Sequence, residues 1–183
     1  MSQQKPLNLP FDPIDRAAES WRAHFGPSAA MAAVTSIMRA HQILLSQLDG
    51  LLKPYGLTFA RYEGLVLLTF SKTGALPLSK IGERLMVHPT SVTNTVDRLE
   101  KSGYVRRLPN PRDGRGVLAE ITDAGRDVVR RATRDLMDAE FGLAMYAEDE
   151  LHGLFDQLRT LRVAAGDFDG SSMRQDEGHG GLL

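Results

Sequence analysis

SKIGERLMVHPTSVTNTVDRLEKSGYVRRLPNPRDGRGVLAEIT, residues 79–122, is the stretch that decides the fold. The spacing of its apolar side chains changes as it runs. Ile81 and Leu85 stand four apart, one face of a short helix, Lys80–Leu85, which Ser79 is placed to cap. Val87-His88-Pro89 is a tight link. Pro89 suits a first helical position, where a missing N–H costs nothing. Val92, Val96 and Leu99 give a second helix, Thr90–Lys101, an inward face, and Gly103 is the expected left-handed stop. From Tyr104 the period drops to two. Tyr104–Leu108 and Gly116–Ile121 read as strands around a polar tip, Pro109–Arg115. Two helices across a short turn, then a two-stranded hairpin, make a winged helix-turn-helix.

The outward face of Thr90–Lys101 carries Thr90, Ser91, Thr93, Asn94, Asp97 and Arg98. Hydroxyls and an amide near a helix N-terminus can bond base edges or phosphates, and the positive end of the helix favours phosphate. Arg98 stands one turn later. The hairpin tip offers Arg112 and Arg115, suited to the focused negative potential of a narrow minor groove. Asp113 is expected to orient Arg115 through a charge-assisted bond.

The flanks read as long helices. Pro13–Phe25 places Ile14, Ala17, Ala18, Trp21 and Phe25 on one face, and Gly26-Pro27 ends it. Ser28 is positioned to cap a helix running to about Lys53. Thr58 is positioned to cap another, with Tyr62, Leu65, Val66 and Phe70 inward. Lys72–Pro77 reads as a turn. Thr122 caps a helix expected to reach about Tyr146, with Val128, Val129, Ala132, Leu136 and Phe141 inward. Glu148–Val163 carries Leu151, Leu154, Phe155, Leu158 and Leu161 along one side. The Gly-rich, polar end is expected to be disordered.

The 183 residues are 42% hydrophobic and 25% charged, ordinary for a globular domain. No apolar run approaches the roughly 20 residues of a membrane span. The polar start does not read as a secretory signal. Zero cysteines exclude disulfides, thiolate metal sites and thiol nucleophiles, which fits a cytoplasmic protein. The net charge of −1 hides an uneven distribution. Leu78–Arg131 carries eleven bases and seven acids; from Ala132 onward there are four bases and eleven acids. A basic middle fits a nucleic-acid module, and equally a solvated face. No nucleophile elbow, phosphate loop or dinucleotide fingerprint appears, so the chain does not read as an enzyme, and no cofactor is expected. The five histidines lack metal-ligand spacing, so no metal site is expected, and Met31, Met38 and Met137 read as core filling.

Taken in order, Leu57-Thr58, Tyr62, Leu65, the run Leu78–Leu85, the run Pro89–Arg107, Asn110–Arg115 and Ile121-Thr122 with Gly125 resemble the MarR family of transcription regulators. The resemblance implies a mainly α homodimer with a small two-stranded β-wing. Its N- and C-terminal helices would form the dimer platform, Pro89–Ser102 the recognition helix and Pro109–Gly116 the wing. It implies a repressor covering a pseudo-palindromic operator in double-stranded DNA and released by a small aromatic or anionic ligand. The implied organisation is an N-terminal extension (1–27), a MarR-type domain (28–165) and a disordered tail (166–183). The domain has its winged core at 57–125 and dimerisation helices at 28–53 and 122–165. The expected DNA contacts are Ser79, Pro89, Thr90, Ser91, Thr93, Asn94, Arg98, Arg112, Asp113 and Arg115. Gly114 stands where the family often has a second arginine, which puts more weight on Arg112 and Arg115. The extra helix also departs from the usual pattern, although some urate- and phenolate-responsive members carry one.

Two alternatives stay open on the sequence. Trp21 either packs the extra helix onto the platform or walls a ligand site with His41, Arg61 and Tyr62, which offer the cation and donors an anion needs. The winged module either reads DNA or serves protein contact alone.

Overall fold

The computed structural model describes residues 8–111 and 116–170. The first helix, α1 (Pro13–Phe25), starts where Asp12 accepts the Ile14 N–H at 2.8 Å, and it stops at Gly26. Its stripe packs along α2 (Ala29–Leu52), but only Ala18 is buried. Ser28 does occupy the N-cap position of α2, yet it caps nothing. Its buried hydroxyl instead accepts from Arg22 Nη1 at 3.1 Å, tying the two helices together. Of the long apolar series of α2 only Leu48 and Leu52 are buried; Met38 is 61% exposed.

A single tight turn and the left-handed Gly56 lead into α3 (Phe59–Phe70). Thr58 precedes α3 without a side-chain cap. The cap comes from α2, where Asp49 accepts the Phe59 N–H at 2.7 Å. A carboxylate outcompetes a hydroxyl at the positive end of a helix. Tyr62 and Leu65 face inward as expected. Phe70, at the end of the helix, is 52% exposed, and Leu68 takes the buried position.

The segment expected as a plain turn contains a strand, β1 (Ala75–Pro77). It pairs antiparallel with β3 (Val117–Ile121), placing Leu76 opposite Ala119, and β3 pairs on its other edge with β2 (Val105–Pro109). The sheet therefore has three strands in the order β1-β3-β2 rather than two. The third strand satisfies β3 backbone groups that a bare hairpin would leave open.

Between β1 and β2 lie α4 (Leu78–Leu85) and α5 (Pro89–Lys101). After β3, α6 (Asp123–Asp138) begins at the Thr122 cap, whose hydroxyl accepts from the Gly125 N–H at 3.1 Å. It ends well short of Tyr146. Glu140, Phe141 and Gly142 all adopt positive φ, which breaks the helix. Phe141 thereby leaves the helical path and packs against the core. Gly142 lies so close to Gln47 that a Cβ would stand 2.8 Å from its Oε1. The final helix, α7 (Glu148–Ala164), starts where Glu150 accepts the Ala147 N–H at 2.9 Å.

One core joins these elements. Its most deeply buried side chains are Leu52 from α2, Leu65 and Leu68 from α3, Ile81 from α4, Val96 and Leu99 from α5, and Val128 and Leu136 from α6. Helix α7 contributes no buried residue, and its Phe155 is 53% exposed.

Candidate nucleic-acid interface

Helices α4 and α5 meet at Gly82, where a Cβ would stand 3.1 Å from Val92 Cγ2 and 3.2 Å from the Val87 carbonyl. The turn between them passes through Met86, left-handed at φ 51° and exposed. Ser79 lies inside the first turn of α4, not at its cap. The helix starts at Leu78 because Pro77 already holds the cap position, and the exposed Ser79 side chain makes no hydrogen bond among the described residues.

Pro89 is the first helical residue of α5, as expected. The cap is His88, whose Nδ1 accepts from the Thr90 N–H at 3.3 Å and lies 3.2 Å from the Thr90 hydroxyl. Sequence reading passed over this role because histidine is not among the usual capping residues. Val92, Val96 and Leu99 are all buried, so the opposite face of α5 is committed to solvent. There Thr90, Ser91, Thr93, Asn94 and Arg98 are exposed. The Thr93 hydroxyl donates to the Pro89 carbonyl at 3.1 Å. Ser91, Asn94 and Arg98 have no side-chain hydrogen bond or ion pair among the described residues, so their donors are available. Lys101, absent from the expected set, is likewise exposed and unpaired among the described residues.

Asp97 does not belong to this open row. Its Oδ1 receives Arg107 Nη2 at 2.6 Å. The same guanidinium gives Nη1 to Glu100 Oε2 at 2.7 Å, and the Arg107 backbone N–H donates to Glu100 Oε1 at 3.1 Å. Partial burial works against charge on Arg107. The hydrogen bonds to Asp97 and Glu100 outweigh it and push its pKa up, so this β2 side chain is a firmly charged bridge to α5. On the neighbouring position Arg106 pairs with Glu120 across the sheet. Lys80 pairs with Glu83, and Arg130 and Arg131 with Asp127. These pairs use five bases and five acids of Leu78–Arg131, so the basic excess of that segment rests on its other residues.

The hairpin closes where the Asn110 N–H donates to the Gly116 carbonyl at 3.0 Å. Arg112, Asp113 and Arg115 lie outside the described residues. The base of the wing is pinned to α6. Thr122 donates its hydroxyl to the Gly103 carbonyl at 2.7 Å and its N–H to the Tyr104 carbonyl at 3.0 Å. A Cβ on Gly125 would stand 2.2 Å from that Tyr104 oxygen.

Residues 61–117 match the MarR family. The chain is similar to Sco5413, a MarR family transcriptional regulator from Streptomyces coelicolor, at 68% identity and TM-score 0.73, covering 76% of this chain and 97% of that one. The chain belongs to the MarR family. It is also similar to Sco3205, a MarR family regulator of the same organism solved in complex with DNA, at 26% identity and TM-score 0.67, covering 78% of this chain and 89% of that one. An HTH-type transcriptional regulator of Bacillus subtilis (strain 168), YhbI, is 30% identical over 119 residues, 65% of this chain and 72% of that protein. The MarR fold is the winged helix described above, and its members are DNA-binding regulators rather than enzymes.

The four residues expected around a ligand are not joined in one chain by any hydrogen bond, ion pair or ring contact. Trp21 packs against Phe25 with the rings tilted by 51° and their centroids 4.9 Å apart. His41 is exposed. Arg61 Nη1 donates to the Gly56 carbonyl at 3.2 Å. Tyr62 is buried with its hydroxyl 2.8 Å from that of Thr133. A separate open cleft of about 470 Å³ lies between α2 and the α6–α7 turn, lined by Gln47, Gly50, Leu51, Gly142, Ala144 and Met145. No described helix is long and apolar enough to cross a membrane.

Proposed function

We propose that this MarR-family regulator is a cytoplasmic homodimer that binds a pseudo-palindromic operator in double-stranded DNA and represses from it. The observation that carries the reading is the exposed row Ser91, Asn94 and Arg98 on α5, with no partners among the described residues, beside a wing held against the same helix. In this reading α5 lies in the major groove. Asn94 and Ser91 face base edges, Thr90 and Thr93 face the groove wall, Pro89 and Ser79 border the backbone, and Arg98 meets phosphate. Arg112 and Arg115 reach the minor groove, with Asp113 orienting Arg115. The winged core is 57–125. The bare apolar faces of α2 and α7 mate with those of a second copy, and the extension 1–27 adds to that platform. A small aromatic or anionic ligand that favours one spacing of the two α5 helices releases the DNA.

The test is a fluorescence-anisotropy titration of the full chain against the duplex upstream of its own gene, over a salt series, with unrelated duplex as control. The expected result is tight binding to the upstream duplex that falls steeply with salt. Absence of binding to both duplexes at low salt would overturn the reading and leave a protein-contact module. Loss of anisotropy on adding salicylate or another aromatic carboxylate tests the release step.

A further inference from the structure

Asp97 stands four residues before Lys101, the favoured orientation for an ion pair along a helix, and next to Arg98. Neither pair forms. Both carboxylates of this face, Asp97 and Glu100, are taken from outside the helix by Arg107 of β2. Three hydrogen bonds, two from the guanidinium and one from the backbone N–H, cross from wing strand to helix, at 2.6, 2.7 and 3.1 Å. The side chain of Arg107 is only 26% exposed. A planar guanidinium bridging two carboxylates fixes both distance and angle, as an ammonium does not.

We infer that Arg107 is a positioning residue, which locks the wing to the recognition helix so that their contacts with DNA form as one coupled event. The inference rests on the reading of α5 and the wing as the DNA-binding face. Arg107 itself is spent on the lock and touches no phosphate. The ordinary expectation for a basic residue on a DNA-binding wing is a direct electrostatic contact, whose loss would leave the coupling between helix and wing intact; net charge and the lock predict opposite outcomes for one variant.

That variant is D97N/E100Q/R107Q, which removes one positive and two negative charges per subunit. On charge alone it binds DNA more tightly than the wild type. If the lock is what matters, it binds more weakly, by about tenfold, despite its added positive charge. Affinities are measured by anisotropy on a duplex that the wild-type protein selects from a randomised pool. The coupling is read by a double-mutant cycle between N94A on the helix and R115A on the wing. The cycle is expected to be non-additive in the wild-type background and additive in the triple variant. Wild-type or tighter binding by the triple variant, or a cycle that keeps its coupling, overturns the inference. If N94A and R115A each leave wild-type affinity unchanged, the DNA-face reading itself fails, a separate result. R107K keeps the charge but cannot bridge both carboxylates, and it provides the same cycle should the triple variant be unfolded by its melting curve. Its coupling is expected to be reduced, and full coupling in R107K also counts against the lock.

Discussion

His88 shows how much a single side chain can decide at the head of α5. Its Nδ1 satisfies the Thr90 N–H, one of the donors a helix start leaves open. H88A is therefore expected to lower stability by about 1 kcal/mol in urea denaturation, whereas H88N, which presents an acceptor in the same place, is expected to stay close to the wild type. Equal losses from both variants would show that the cap contributes nothing. Glu63 makes the opposite case. It lies partly buried on α3 with no ion pair among the described residues, and burial raises its pKa. The folded chain holds the Glu63 proton more tightly than the unfolded chain. Ionisation of this group therefore lowers stability as pH rises through the folded pKa, and the penalty is absent below the unfolded value near 4.3. E63Q should raise the melting temperature at pH 7 and lose that advantage near pH 3.5. A gain of the same size at both pH values would assign the effect to something other than charge.

At the scale of elements, the strong periodicities were legible and the short or conflicted segments were not. The buried triad Val92, Val96 and Leu99 and the left-handed Gly103 follow directly from spacing and turn chemistry. The three-residue β1 shows no period at all; it is a strand only because β3 has a second edge to satisfy. The caps of α2 and α3 went astray for a related reason. Ser28 and Thr58 occupy the right positions, but Arg22 claims one hydroxyl and Asp49 replaces the other, and both partners are tertiary. The break after Asp138 was missed although Phe141, five residues after Leu136, falls off the helical period of the inward face. Asp97 was misplaced on the open face because nothing in the sequence says that Arg107 folds back onto it. The junction of wing and α6 depends on the missing side chain at position 125, where a methyl group would collide with the Tyr104 carbonyl. G125A is expected to cost about 2–3 kcal/mol in chemical denaturation, because backbone, unlike a flexible side-chain end, must move to make room. A loss under about 0.5 kcal/mol would mean that α6 can shift freely relative to the sheet.

For the whole molecule, burial is divided unequally. The core takes side chains from α2 through α6, while α7 buries none and the first half of α2 keeps Val34, Ile37 and Met38 exposed. A monomer with this much apolar helix surface in water is poorly stabilised in just the elements that would set the spacing of two recognition helices. Two α5 helices must lie roughly 34–36 Å apart to enter successive major grooves on one side of a duplex. Dimerisation and DNA affinity are therefore expected to fail together. L158E puts a charge into the stripe of α7 without touching the winged lobe. It should sediment as a monomer and lose most of its affinity for the full operator, yet retain the wild-type salt dependence per subunit on a single half-site, since each lobe keeps its own phosphate contacts. An L158E protein that sediments as a dimer would move the interface away from α7. A monomer with undiminished affinity for the full site would show that one lobe suffices, leaving the paired geometry no part in recognition.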